Sequence, residues 1–296
     1  MTYRKQVARF VEPYRITNGR KFRLRDFDPG DTRNLKSKEG AKKLLRDGVE
    51  VLCGLQEKLY AQDRWAVLLI FQAMDAAGKD GTIKHVLSGV NPQGCQVSSF
   101  KSPSSTELDH DFLWRTTCDL PPRGRIGIFN RSYYEEVLAV RVHPECLAHQ
   151  RLPKRVLTKN FWKDRFEDIN AFEQYLSRNG VIVRKFFLNV SKDEQKRRFI
   201  ERLDENEKNW KFSPTDVKER GFWSQYMTAY EDMIRHTSTE QAPWFVVPAD
   251  NKWYTRLVVA AAVNDALESL NLTFPVVDAP KRQELESARH FLAQEG

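Results

Sequence analysis

The chain has 296 residues, 41% of them hydrophobic and 11% aromatic, enough for one large α/β domain or two small ones around a sizeable core. A net charge of +8 favours polyanionic partners such as phosphorylated substrates, polyphosphate, nucleic acid or an anionic membrane. No run approaches the ~20 apolar residues of a membrane span, and the N-terminal MTYRKQVARF has no apolar export core. Cys53, Cys95, Cys118 and Cys146 form neither a C-x-x-C pair nor a metal-ligand spacing with histidine, so reduced thiols in a cytoplasmic protein are expected.

Residues 1–34 are polar and basic, with Pro13 and Pro29, and read as an irregular N-terminal arm. Asp31 and Thr32 offer a cap for a helix from Leu35 to Gln62, whose Leu44, Leu45, Val49, Leu52, Leu55 and Leu59 recur at helical spacing. Trp65–Phe71 is a continuous apolar run of the kind that forms a parallel strand buried on both faces. A glycine-containing loop and a helix follow. Further strands are expected at Gln96–Phe100, Arg125–Asn130, Val181–Val190 and Trp244–Pro248. Between them, helices are expected from Pro103-Ser104 to about Pro121, from Arg155 to Ser177, from Lys192 to about Lys208, from Pro214 onward, and from Arg256 to Leu270. The tail from Asp278 is polar. Alternating strands and helices call for a five-stranded parallel sheet with helices on both faces, a three-layer α/β sandwich. The division read from the sequence is an arm at 1–34, a catalytic domain at 35–275 with a helical lid at about 192–220, and a tail at 276–296.

The most informative segment is Asp75-Ala76-Ala77-Gly78-Lys79-Asp80-Gly81-Thr82, which follows the first apolar strand and opens a helix. A helix N-terminus presents unpaired N–H groups and a partial positive charge to an anion. Gly78 and Gly81 permit close backbone approach to phosphate oxygens, and Lys79 adds a point charge. Thr82, with Asp75 or Asp80, is placed to hold Mg²⁺. The match to G-x-x-x-x-G-K-[ST] is partial, since Ala73 stands at the first glycine and Asp80-Gly81 separates Lys79 from Thr82.

Three further segments, FKSPS (Phe100–Ser104), IFNRSYYEEVLAVRVH (Ile128–His143) and NWKFSPTD (Asn209–Asp216), occur in order with AMDAAGKDGT. Together they resemble the polyphosphate kinase 2 family over roughly residues 35–270. The resemblance implies a P-loop kinase fold, dependence on Mg²⁺, with Mn²⁺ able to replace it, and transfer between polyphosphate and the nucleotides AMP, ADP and ATP. It puts the Walker A acid on Asp75, the Walker A lysine on Lys79 and the Walker B segment on Ile128–Arg131. Members reading F-D-R-S-W-Y-N mainly phosphorylate nucleoside diphosphates. Here the segment reads F-N-R-S-Y-Y-E-E, which looks like the class III branch that accepts mono- and diphosphates. Asn130 is neutral where a Walker B carboxylate would ligate the metal, so the expected metal set is Asp75, Asn130 and Glu135, leaning on Asp75.

The phosphate cradle is expected from Ala77, Gly78, Lys79, Asp80, Gly81 and Thr82, and the catalytic group from Asp75, Lys79, Arg131, Glu135 and Arg115. Residues 192–220 hold nine basic and eight acidic side chains, many at i, i+4, so only Arg198, Arg202 and Lys211 are expected to face polyphosphate. Asn91, Phe100, Lys101 and Glu135 are the candidates for nucleotide contact, with turn chemistry and a buried phenylalanine as the plainer alternative for the first two. No nucleic-acid motif, no membrane association and a homo-oligomer are expected. The alternatives are an ATP-dependent nucleoside monophosphate kinase and a nonenzymatic polyanion binder.

Overall fold

The computed structural model describes residues 3–35 and 38–295. Six strands form one mixed sheet: β1 (Arg15–Ile16), β2 (Ala66–Gln72), β3 (Cys95–Ser99), β4 (Ile126–Asn130), β5 (Val181–Asn189) and β6 (Trp244–Pro248), in the order β1-β6-β5-β2-β4-β3. The five strands expected from apolar runs are all present and mutually parallel. The five-stranded parallel sheet is nonetheless corrected to a six-stranded mixed one, because β1 pairs antiparallel with the β6 edge. A two-residue strand carries too little period to be read from sequence.

All seven residues of β2 are buried, as a central parallel strand requires. Adjacent side chains of β5 show the two faces, since successive residues of a strand point to opposite sides. Lys185 meets Glu173 of the helix Phe161–Arg178, whereas Arg184 feels the charge of Asp265 on the helix Lys252–Glu268. On the second face Lys252–Glu268 packs against the helices Lys38–Gln62, Tyr3–Val11 and Lys79–Val86. It is apolar nearly all round because the sheet lies on one side and other helices on the other.

Several boundaries also differ. The N-terminal arm is not irregular: it holds the helix Tyr3–Val11 and β1, and Val7, Phe10, Tyr14 and Phe22 join the core. Asp31 caps no helix but accepts the Tyr14 hydroxyl at 2.7 Å, and the helix after it runs Lys38–Gln62. The helix expected after Pro103 is two single turns, Ser105–Leu108 and Trp114–Thr117, the first closed by a Ser104–Glu107 capping box. The charged helix runs Lys192–Asp204. The polar tail forms the exposed helix Ala279–Ala293. Among the described residues no helix is long and apolar enough to cross a membrane.

Candidate functional site

Strands β2 and β4 lie side by side in parallel, so the residues just past their carboxyl ends meet at one edge of the sheet. The β2 chain leaves the sheet at Gln72, turns through Ala76 at φ 61° and Gly78 at φ 101°, and enters the helix Lys79–Val86. Gly78 occupies the N-cap in the left-handed region, where a Cβ would be strained. The β4 chain turns at Arg131, φ 65°, held by a hydrogen bond from its backbone N–H to the Phe71 carbonyl at 3.0 Å. A cavity of about 860 Å³ opens above these two turns.

The expected cradle lines it: Asp75, Ala77, Gly78, Lys79, Asp80, Gly81 and Thr82 all border the space, with Asn130 and Arg131 across from them. Arg131 Nη2 donates to Asp75 Oδ1 at 3.0 Å, and Asn130 Nδ2 donates to Asp80 Oδ1 at 2.8 Å. Lys79 is only 9% exposed, and its Nζ donates to the Ala73 carbonyl at 3.0 Å. Burial pulls the Lys79 ammonium below the usual lysine range, while the charge of Asp75 opposes that shift. From the helical segment 192–220, Arg202 lines the cavity with Asp216 at 3.7 Å from it. Burial, and then the charge of Asp75, push the Asp216 carboxyl up.

Four expected residues stand elsewhere. Asn91 caps the turn Pro92–Gly94 ahead of β3, at the amino edge of the sheet and away from the cavity. Phe100 is buried edge-on against Phe129, with ring centroids 4.9 Å apart, and offers no open face to a base. Arg115 donates to the Lys101 carbonyl at 2.7 Å and covers Phe100, so it shapes the end of β3 and does not border the cavity. Lys101 itself does border it. Glu135, on the 3₁₀ turn Tyr133–Val137, does not border the cavity. Burial raises its carboxyl against the opposing charges of Arg131 and Lys79.

Arg198 is corrected more sharply. It reaches the cavity wall but is 3% exposed, and its guanidinium is bound to backbone carbonyls. The expected contact from Lys211 rests on a side chain outside the described residues.

Sequence reading overlooked Lys252 and Arg256, one turn apart on the helix after β6, and Asp216 and Trp210 in the segment 192–220, all bordering the cavity. Basic residues at i, i+4 in the first turns after the last parallel strand were a usable signal, since that helix start lies at the carboxyl edge. Asp216 closes the NWKFSPTD segment, whose acid went unassigned.

Among the described residues no group of three or more His, Cys, Asp or Glu could hold a metal by itself. Of the expected metal set, Asp75 and Asn130 border the cavity and Glu135 does not. Asp75 and Asp80 remain as cavity carboxylates. That pair suits a hard cation completed by substrate oxygens and water, the usual manner of Mg²⁺ binding.

The fold and site together define an α/β protein whose cavity, bordered by Lys79, Arg131, Arg202, Lys252 and Arg256, opens at the carboxyl edge of the parallel strands. The chain belongs to the polyphosphate kinase 2 family, whose sequence model matches residues 34–275. It is 54% identical over 283 residues to an ADP-polyphosphate phosphotransferase of Rhodopseudomonas palustris, covering 95% of this chain and 98% of that one. It is 43% identical over 269 residues to an AMP/ADP-polyphosphate phosphotransferase of Meiothermus ruber, covering 90% of this chain and 96% of the relative. The fold matches the crystal structure of polyphosphate kinase 2 from Arthrobacter aurescens with a TM-score of 0.85 and 41% identity, over 94% of this chain and 96% of that chain.

Proposed function

We propose that this chain transfers phosphoryl groups between inorganic polyphosphate and nucleoside mono- and diphosphates, converting AMP to ADP and ADP to ATP. The observation that carries the reading is the single cavity in which the phosphate loop, Arg131 and Arg202 converge, in a chain of the polyphosphate kinase 2 family. Donor and acceptor are both polyanions, so the protein's task is positioning and charge neutralisation.

An acceptor phosphate has a second pKa of about 6 and is already ionised at neutral pH. The acceptor oxygen therefore needs no general base, and Asp75 is free for electrostatic work. The loop N–H groups around Gly78 and the Lys79 ammonium grip the transferring phosphoryl group, and Arg131 follows its charge as the bond to the donor breaks. Asp75 holds Arg131 in register for that role. Arg202, with Lys252 and Arg256, screens the rest of the donor chain. The lid over residues 192–220 excludes water and so limits hydrolysis. A divalent metal, Mg²⁺ or Mn²⁺ in its place, supplies further charge neutralisation when bound, and Asp75 and Asp80 would hold it. A cytoplasmic homo-oligomer that binds neither nucleic acid nor membrane completes the reading.

The deciding assay supplies AMP and Mg²⁺ with either polyphosphate or GTP and follows ADP. Product with polyphosphate alone is expected. Product with GTP alone would make the protein an ATP-type nucleoside monophosphate kinase. A salt-sensitive DNA shift surviving Lys79→Ala, with no phosphotransfer, would make it a polyanion binder.

Glu135 acts on acceptor choice through Arg131, with which its carboxylate interacts by charge. Glu135→Asn should lower kcat/KM for AMP about tenfold more than for ADP, a difference of about 1.4 kcal/mol in transition-state binding. Parallel losses on both acceptors would remove Glu135 from selectivity.

A further inference from the structure

We propose that Arg198 is a positioning residue that clamps the carbonyl side of the phosphate loop to the root of the lid, and that it never touches substrate. The inference rests on the phosphotransfer reading above and adds a part to it.

An arginine has five N–H donors in a rigid planar fork. All five of Arg198 are engaged. Nη1 donates to the carbonyls of Ala76 and Ala77 at 3.0 and 2.8 Å. Nη2 donates to the carbonyls of Ala249 and Asp250 at 2.6 and 3.0 Å. Nε donates to Glu194 Oε1 at 2.7 Å, one turn back on the same helix. No donor is left for a phosphate oxygen, and the side chain is 3% exposed.

The acceptors explain the purpose. Ala76 and Ala77 directly precede the Gly78 N-cap and turn their carbonyls to Arg198. Ala76 does this at φ 61°, a backbone state that costs about 1 kcal/mol or more for a non-glycine residue and persists only where the surroundings enforce it. Arg198 supplies the enforcement, since a buried carbonyl cannot abandon a charged donor without loss.

The other acceptors are themselves fixed. Asp250 donates its backbone N–H to the Pro29 carbonyl at 3.1 Å, and its Oδ1 accepts from the backbone N–H of Ser191 at 2.8 Å. Asn251 Nδ2 donates to the Gly30 carbonyl at 3.2 Å. Gln195, three residues before Arg198, donates to the Asp75 carbonyl at 3.0 Å. The phosphate loop is thus tied to the first turns of the lid helix Lys192–Asp204, to the loop after β6 and to the N-terminal arm. Any tilt of that helix moves the carbonyls of the loop with it.

The test compares Arg198→Met, Arg198→Lys and the cavity-facing Arg202→Met with the unaltered protein. It uses polyphosphate of several lengths as donor and ADP as acceptor, at a series of salt concentrations. Failure of the unaltered protein to use polyphosphate would sink the functional reading, not the clamp. With that activity present, Arg198→Met should lower kcat at least 30-fold. KM for polyphosphate and its salt dependence should stay within threefold of the unaltered values. Deuterium uptake by the peptide spanning residues 73–83 should quicken in the same variant. Arg202→Met should instead raise KM and flatten its salt dependence. Arg198→Lys keeps the charge but can serve at most three of the five acceptors, so it should fall between, again in kcat. It also serves as the test if the methionine variant does not fold. A raised polyphosphate KM with a flattened salt dependence in either Arg198 variant would place the guanidinium on substrate and overturn the proposal. Unchanged kcat in both would overturn it as well.

Discussion

Lys79→Met should lower kcat by roughly 10² to 10³-fold, the usual loss on removing one preorganised charge stabiliser, while the melting temperature holds or rises. The two halves of that result have one cause. Lys79 is nearly buried, and among the described residues its ammonium donates only to the Ala73 carbonyl. The carboxylate whose charge acts on it most, Asp75, is occupied with Arg131 at 3.0 Å. A buried cation with incomplete neutralisation is costly to the folded state, and a methionine of similar length removes that cost. Incoming phosphate oxygens supply the missing neutralisation, so the strain of the free protein becomes grip on the substrate. The sign with pH follows. Burial depresses the Lys79 pKa in the folded chain, so the unfolded chain binds more protons below the ordinary lysine value of about 10.4. Stability assignable to Lys79 therefore rises with pH from the depressed pKa towards that value, and Lys79→Met should flatten this part of the profile. Turnover close to that of the unaltered protein would remove Lys79 from the mechanism. A large fall in melting temperature would show that its role is structural.

Much of this site was readable because parallel α/β architecture writes itself in long apolar runs. Once β2 and β4 are placed by their runs, the loops at their carboxyl ends must meet, and Asp75, Lys79, Asn130 and Arg131 come with them. Arg198 shows where that logic stops. Its sequence neighbours give a charged, salt-bridged helix, and nothing in the spacing tells a solvent-facing arginine from one turned inward onto carbonyls 121 residues away along the chain. Long-range partners of that kind carry no local period. Asn91 and Phe100 illustrate a second limit. Both flank β3, but parallel pairing sends its start, with Asn91, to the edge opposite the cavity, and Phe100 at its end is turned inward onto Phe129. The buried lysine in β5 is a third case. A strand reading VIVRKFFLN puts Arg184 and Lys185 on opposite faces but gives no hint that Lys185 is paired, because its partner Glu173 lies on a helix.

That lysine carries the largest expected effect on stability. Lys185 and Glu173 are 0% and 1% exposed, with Nζ and Oε2 2.6 Å apart. Lys185 also donates to the Tyr134 hydroxyl at 3.0 Å and the Thr237 carbonyl at 2.6 Å, and Glu173 Oε1 accepts both the Tyr133 and Tyr134 hydroxyls at 2.8 and 2.7 Å. Burial lowers the Lys185 ammonium pKa and the charge of Glu173 opposes it, so the pair stands only while both members are present. Glu173→Gln keeps an acceptor for the tyrosines but strands the cation, and should cost about 3–5 kcal/mol. For a chain of this size that is a fall of about 5–8 °C in melting temperature, read by calorimetry. Lys185→Met alone strands the carboxylate and should cost a similar amount. The double variant Lys185→Met/Glu173→Gln removes both charges and keeps the tyrosine acceptor, so it should recover more than half of either loss. Additive losses in the double variant would mean that the charges do not act as a pair. The functional cost follows from position: Tyr133 and Tyr134 come two and three residues after Arg131, whose φ of 65° needs a fixed chain on its far side. A network built under the sheet to hold two tyrosines thereby also holds the arginine above it. Glu173→Gln should accordingly lower kcat even at temperatures where the variant is fully folded, whereas the double variant should regain activity along with stability.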